Sequence, residues 1–435
     1  MKNRMHKTVP ASTMILAAML FGFSGTASAA PAAEPPSAAP AAEAYLAWTR
    51  SALAQAETNL PAITAAAQIA AEAFMAGRDL GVRGGAGLNE ELGARSGGLC
   101  VYRATKGNPG DVVLYAFGVA TDKDADVAAL LERELADAEA LKAAGSTVIG
   151  LVSFRQLAAQ GKMDRAKAVC AALMDNYAPA GDGLFAAPDG KPAVPTHVTA
   201  DAIVSWVWMA EFYAACTRAG KTPAMYQSVL NDPERVRYDK YLKVRFHDDM
   251  KVEPIPAGQL GRAYVSALRG MLDAVRRDHW QALADAARRA AQAVRDGGQV
   301  HVFARGHYPP RHVGGQLAAD RSGFRRMLKG AAAIPGDPGP KDFAIAVGYS
   351  LPPGDEWWGG ADQRLRQAGR GVCWIISGHR TRPEHLLANE LLLDQVWPDG
   401  DAALSIPGYD VGICPPSGVM AEALLWMLTA EIRAR

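Results

Sequence analysis

Glutamate and histidine are the side chains best suited to moving protons near neutral pH, and this chain sets both beside glycine-rich turns. Residues 81–98 read GVRGGAGLNEELGARSGG: an extended run over 80–83 ends in Gly84, Gly85 and Gly87, and a helix opens near Asn89. Glycines let the backbone approach a ligand closely, and the N–H groups of a helix start favour an anion. Glu90 and Glu91 stand in that first turn, where a carboxylate serves either as a base or as a cap on the helix dipole. Residues 300–324, VHVFARGHYPPRHVGGQLAADRSGF, repeat the arrangement with Arg305, Gly306 and His307 at the turn and Arg311 and His312 in the same loop. His307 is the leading candidate for a ligand or acid–base residue, whereas His301, inside the strand, reads as a satisfied core histidine. Arg95 and Arg321 each precede a Ser-Gly step, at Ser96 and Ser322, and a guanidinium suits bidentate contact with a carboxylate or phosphate.

The turns belong to a longer repetition. Arg95-Ser96-Gly97 matches Arg321-Ser322-Gly323, and both tripeptides read as helix ends; Asp111-Val112-Val113-Leu114 matches Asp342-Phe343-Ala344-Ile345. Residues 141–153 (LKAAGSTVIGLVS) match residues 365–377 (LRQAGRGVCWIIS), in the same order and at offsets of roughly 225 to 230, which argues for an internal duplication. Each half reads helix, strand, turn, helix, strand, helix, strand, a rhythm that implies a parallel sheet with right-handed crossovers. Residues 111–117 and 343–347 are continuous apolar runs of the kind buried on both faces. His379 follows the third strand of the second half, at the end where ligands are expected. Each half closes on a strongly apolar helix, residues 200–215 and 418–432, whose aromatics read as core.

The 435 residues allow two domains of ordinary size. With 46 Lys and Arg against 45 Asp and Glu, and no basic run, nucleic acid is a poor partner. Lys2, Arg4 and Lys7 precede an apolar stretch over 14–23 and then Ala27-Ser28-Ala29, so residues 1–29 read as a cleaved export signal. That stretch is too short to span a bilayer, and the mature chain is expected to be soluble in the periplasm or medium. Residues 30–42 read as a disordered Pro/Ala-rich tether, 43–230 as the first domain, 231–258 as a connector and 259–435 as the second domain. The five cysteines sit in apolar contexts without close pairs and read as buried small hydrophobes. His247-Asp248-Asp249 reads as no metal site, since contiguous residues do not converge on one ion.

The Gly-rich turn, Arg-Ser-Gly-Gly at 95–98, Gly-Asp-Val-Val-Leu at 110–114 and the run over 141–151 resemble the sugar isomerase (SIS) domain, and Phe303-Ala304-Arg305-Gly306-His307 resembles the subgroup with a Gly-His turn. The resemblance spans nearly all of the mature chain as two domains end to end. It implies an α/β fold of two flavodoxin-like three-layer (α/β/α) domains, dimerising or forming an intramolecular pseudo-dimer, with phosphorylated sugars at the carboxyl ends of the strands and neither metal nor cofactor. The family's phosphate-binding hydroxyls are missing from the expected places, Ala86-Gly87-Leu88-Asn89 and Ala116-Phe117-Gly118-Val119, with Thr121, Ser153, Ser350 and Ser377 as the nearest substitutes. On this reading His307, Glu91 and His379 are the catalytic candidates. The ligand candidates are Gly84, Gly85, Gly87, Asn89, Arg95, Ser96, Thr121, Arg305, Gly306, Arg311, Ser322, Ser350 and Ser377. The expected function is binding, or isomerisation, of a sugar or carbohydrate derivative; the competing one is a non-catalytic carbohydrate-binding or interaction module that kept the fold and lost the site. Export favours amino sugars or acidic sugars of the cell wall over cytoplasmic sugar phosphates.

Overall fold

The computed structural model describes residues 39–435 except 86, 94, 106, 119–126, 187–191, 233, 307, 313–324 and 327–336. The expected export signal, Thr121, His307, Arg321 and Ser322 therefore lie outside the described residues, and for Arg311 only the backbone is described.

Helices α1 (Pro40–Thr58) and α2 (Leu60–Met75) meet at Asn59, because proline suits the first turn of a helix and not its interior. The first sheet comprises β1 (Leu80–Gly84), β2 (Arg103–Ala104), β3 (Val112–Ala116), β4 (Thr147–Val152) and β5 (Ala172–Asp175). Interleaved are α3 (Leu88–Leu92), α4 (Val127–Ala143), α5 (Phe154–Ala159) and α6 (Met163–Val169). A short antiparallel pair, β6 (Phe185–Ala186) and β7 (Pro192–Ala193), leads into α7 (His197–Arg218), and α8 (Val236–Tyr241) follows. The second half runs α9 (Gln259–Ala274), α10 (Trp280–Arg295), β8 (Val300–Ala304), α11 (Pro309–His312), β9 (Arg325–Arg326), β10 (Phe343–Val347), α12 (Ala361–Leu365), β11 (Val372–Ile376), β12 (Leu391–Asp394) and α13 (Ser417–Ala434).

The two sheets have the same strand order, β2-β1-β3-β4-β5 and β9-β8-β10-β11-β12, with every pairing parallel. This is the 2-1-3-4-5 order of a doubly wound α/β layer, present twice. Side chains alternate across each sheet as the pleat requires. Val113 and Tyr115 of β3 meet Leu131 and Leu135 of α4, while Val112 and Leu114 face a core shared with the second half. Phe343, Ile345 and Val347 of β10 reach that same shared core, and Ala344 and Ala346 pack outward with Trp358 and Trp374.

Duplication extends to details that side-chain identity conceals. Asp111 accepts from Asp79 N and Asn108 N, and Asp342 likewise accepts from Gln299 N and Gly339 N. Asp175 Oδ1 accepts from Phe154 N and Tyr177 N, as Asp394 Oδ1 does from Gly378 N and Val396 N. Non-glycine residues take left-handed backbone at matching places: φ is 63° at Tyr177 and 50° at Val396, 52° at Asp182 and 48° at Asp401, 59° at Val194 and 58° at Cys414. Such conformations cost about 1–3 kcal/mol each and persist only where the surroundings enforce them. Members of each pair stand 219 or 220 residues apart.

The first helix of each half packs against the last helix of the other, α1 on α13 and α9 on α7. A buried glutamate secures each crossing. Glu211 of α7 accepts from Gly258 N (2.7 Å) and Gly261 N (2.8 Å) at the start of α9, and Glu431 of α13 accepts from Ala41 N (2.9 Å) and Ala42 N (3.3 Å) at the start of α1. These satisfy helix N–H groups that lack intrahelical partners and place a negative charge at the positive dipole end. Because Glu431 supplies that cap, α1 begins at Pro40, within the stretch read as a tether.

One local expectation changes. Helix α3 ends at Leu92 instead of at Arg95-Ser96-Gly97, because Gly93 turns extended (ψ 130°); Ser96 then bridges Tyr226. The five cysteines are free thiols, four of them buried.

Removing a crossing carboxylate strands buried N–H groups. Glu211→Ala is expected to lower unfolding free energy by about 3 kcal/mol, read as a shifted urea midpoint at unchanged m-value; a loss well under 1 kcal/mol contradicts the capping role.

Candidate functional site

Two loops at the carboxyl ends of the sheets, one between β5 and α7 and the other between β12 and α13, carry equivalent aspartates. Asp182 accepts from His197 N at the start of α7, and Asp401 accepts from Ser417 N at the start of α13. Around each aspartate lies a chamber of buried polar side chains.

In the first chamber Arg95 Nη1 donates to Glu91 Oε2 (2.7 Å), while its Nη2 donates to Asp401 Oδ2 (3.5 Å) and to Ser417 Oγ. Trp206 Nε1 donates to Glu91 Oε1 (2.8 Å), and Ser417 Oγ donates to Asp401 Oδ2 (2.8 Å). All four members of the Glu91, Arg95, Asp401 and Ser417 cluster are buried, and a Cβ at Gly418 would collide with the Glu91 carboxylate. Burial pushes Glu91 up to about 7 against the opposing pull of Arg95 and the Trp206 indole. Asp401 is also raised, by burial above all. Burial alone would depress Arg95, but Glu91 and Asp401 hold its pKa above the ordinary value. The first chamber is thus filled by the chain's own guanidinium.

In the second chamber His197 Nδ1 bonds to Asp182 Oδ2, whose neighbouring oxygen accepts from Thr196 N, Thr196 Oγ1 and His197 N. A carboxylate can only accept, so in the neutral imidazole Nδ1 carries the proton and Nε2 presents a lone pair. That Nε2 has no hydrogen-bond partner among the described residues, although His197 is only 5% exposed. One helical turn on, at the i+4 spacing that shares a face, stands Asp201, held by Asn176 Nδ2 (2.7 Å). Burial pushes Asp201 up to about 7, opposed by the Asn176 bond and, when the imidazole is protonated, by the His197 charge. Beyond it His312 Nδ1 pairs with Glu422 Oε1 (2.7 Å), and Trp426 Nε1 donates to Glu422 Oε2 (2.8 Å). Tyr308 OH, within electrostatic reach of Asp201, Glu422 and Glu91, donates to Val198 O (2.9 Å). An oriented imidazole with an open lone pair, next to a carboxyl that keeps its proton to near neutrality, is acid–base equipment.

The residues singled out in the sequence divide between these chambers and their surroundings. Glu91 and Arg95 meet in the first chamber, and Ser96 Oγ donates to Gly400 O at its edge (3.3 Å). Gly84, Gly85 and Gly87 all have positive φ; Gly85 N donates to Ala116 O (3.0 Å), which draws the turn against β3. Asn89 supports the turn through Gly93 N, which donates to Asn89 O (2.8 Å). His379 bonds to Ser377 Oγ (2.8 Å) and Asp399 (3.2 Å), and its ring meets Trp397, which meets Tyr349, a hydrogen-bond partner of Asp401. It therefore stands two aromatic rings away from the first chamber. Ser377 Oγ donates to Trp397 O (2.9 Å), and Ser350 is buried with a hydroxyl that has no partner among the described residues. Arg305 lies over the Trp357 ring (4.4 Å) behind the exposed Gly306, and Arg311 is placed within α11. His197, Asp182, Asp201, Asp401 and Ser417 were not singled out in the sequence. The available signal was a histidine and an aspartate at the head of an otherwise apolar helix, where ionisable groups are out of place unless partnered.

No family model matches the chain, and no curated protein matches it. Among solved structures it is similar to the C-terminal domain of glucosamine-fructose-6-phosphate aminotransferase from Francisella tularensis, at 10% identity over 88% of this chain and 96% of that one, with a TM-score of 0.44. It is also similar to a candidate sugar-binding protein from Salmonella typhimurium LT2 (12% identity, 90% and 98% covered, TM-score 0.46). A candidate phosphosugar isomerase from Silicibacter pomeroyi DSS-3 gives 11% identity, 90% and 96% covered, and a TM-score of 0.39. At these scores none bears on site or substrate; the fold assignment rests on the two strand orders.

Arg95→Met leaves Glu91 and Asp401 buried without their counter-ion, at an expected cost of about 4 kcal/mol in urea unfolding; adding Glu91→Gln should recover part of it. Asp201 has a folded pKa above its unfolded one, so the folded state binds the extra proton between about pH 4 and 7. Its contribution to stability is full below that window and is lost as pH rises through it. Unfolding free energies measured at pH 5 and pH 7 should therefore fall less steeply in Asp201→Asn, the difference reaching at most about 1.4 kcal/mol per pH unit.

Proposed function

We propose that this chain is an exported protein of the sugar isomerase domain type that binds a sugar derivative at the junction of its halves and moves a proton on it through His197 and Asp201. The reading takes residues 1–29 as export signal, 30–42 as tether, and 43–230 and 259–435 as tandem units joined by 231–258. Its support is the sequence motifs of both halves, the doubled 2-1-3-4-5 strand order, and the rule that such layers bind ligands outside the carboxyl ends of their strands.

The observation that carries it is the buried Nε2 of His197, which has no partner among the described residues and is oriented from behind by Asp182. Aldose–ketose exchange needs a base to take a proton from the carbon beside the carbonyl and an acid to protonate the carbonyl oxygen. His197 Nε2 has the lone pair for the first step, and Asp201, raised to about 7, has a proton for the second. On return, the imidazolium gives its proton to the former carbonyl carbon while the Asp201 carboxylate takes the proton of the adjacent hydroxyl, so the net change is a shift of the carbonyl by one position. The first chamber, where Arg95 already satisfies Glu91, Asp401 and Ser417, keeps a structural part in this reading.

Interconversion of aldose and ketose is read by NMR with a panel of neutral, amino and phosphorylated sugars. His197→Gln should lower the rate by about 100-fold or more while ligand-induced thermal stabilisation persists. Turnover that survives intact in His197→Gln removes the imidazole from the mechanism; absence of both turnover and stabilisation across the panel removes the sugar reading.

A further inference from the structure

The first chamber joins the halves through an unequal count of charges. Glu91 stands on α3 with Arg95 just beyond it, while Asp401 and Ser417 belong to the loop and the helix that close the second half. Both carboxyl groups lean on the same guanidinium, Glu91 at 2.7 Å and Asp401 at 3.5 Å, and all three side chains are buried. With both carboxyls ionised, two negative charges answer one positive charge out of contact with bulk water. Binding one proton removes the excess.

Hydrogen bonds decide which carboxyl takes that proton. Asp401 accepts from Ser417 N (3.1 Å), Ser417 Oγ (2.8 Å), Arg95 Nη2 and Tyr349, whereas Glu91 accepts from Arg95 Nη1 (2.7 Å) and Trp206 Nε1 (2.8 Å). Donors favour the ionised form, so the better supplied Asp401 keeps its charge and the proton falls to Glu91. The helix dipole at the head of α13 works the same way, since the Ser417 N–H there is already taken by Asp401. Of the other groups facing the pair, Tyr264 of α9, Tyr308 just before α11 and Tyr349 beyond β10 are kept neutral by burial, and Glu422 of α13 adds a further negative field at Glu91. The head of α13 rests directly on Glu91, where Gly418 leaves no room for a Cβ.

We propose that the first chamber is a proton-operated clasp between the halves: a neutral Glu91 lets Arg95 and Asp401 pair one to one and holds the head of α13 against α3, and loss of that proton sets an unmatched carboxylate against Gly418 and loosens the crossing. Burial holds the Glu91 proton to about pH 7, against an ordinary carboxyl value of 4.5. The closed form therefore binds the extra proton inside that window; the clasp is fully set below it and is lost as pH rises through it. Helix α13 also carries Glu422, which pairs with His312 in the second chamber (2.7 Å), so one element holds both chambers.

Hydrogen exchange of the full chain, read by mass spectrometry on peptides from 401–425 at pH 5 and pH 7 and corrected for intrinsic exchange, tests the clasp. Opening at the head of α13 should rise about tenfold or more across that interval in the native chain. Most of that rise should vanish in Glu91→Gln and persist in Asp201→Asn, which separates this proton from the one on Asp201. If Glu91→Gln does not fold, Trp206→Phe, which removes a donor from the ionised carboxyl, should move the rise to higher pH. A native chain whose opening does not change with pH, a rise that Glu91→Gln retains in full, or one that Trp206→Phe leaves in place overturns the proposal.

Discussion

The arrangement depends on two glutamates that cross between halves. Glu211 and Glu431 project from the final helix of their own half and accept the exposed N–H groups at the first helix of the other. Helix starts buried at an interface need acceptors, and a carboxylate supplies both hydrogen bonds and the sign of charge that the dipole asks for. With both helix pairs fixed in this way, the sheets turn their inner faces to one shared core. The loops at their carboxyl ends then converge near the heads of α7 and α13.

That convergence explains why so much charge is buried in one region. A carboxylate removed from water demands either a partner or a proton. The first chamber answers with a partner: Arg95 bridges Glu91 and Asp401, and Ser417 and the Trp206 indole occupy remaining lone pairs. The second answers partly with a proton, on Asp201, and partly with histidines placed against Asp182 and Glu422. Two copies of one backbone have thus diverged in electrostatics while keeping their geometry, strained left-handed residues included.

Divergence of this kind follows from how a duplicated pair shares its work. Once a guanidinium satisfies one site internally, that site contributes cohesion between the halves, whereas its twin keeps an imidazole nitrogen that has no partner among the described residues. The aromatic path from His379 through Trp397 and Tyr349 to Asp401 ties a strand-end loop of the second sheet to the satisfied chamber, consistent with a supporting part for that histidine.

What the sequence determined by itself was the repeated α/β rhythm. Apolar runs such as 343–347 are too uniformly hydrophobic for a one-sided strand, and glycines such as Gly84 and Gly85 must lie where a turn needs positive φ; both are local demands that any reader of the chain can see. Glu91 and Arg95 were each legible as a chemically interesting residue, though their partnership was not. That Asp401 and Ser417, more than 300 positions away, would complete it depends on which loops the crossed helices bring together. His197 and Asp201 were hidden in an apolar helix for the same reason: a side chain's pKa and open lone pair are set by the groups folded around it and by the loss of water, and neither is written in its neighbours along the chain.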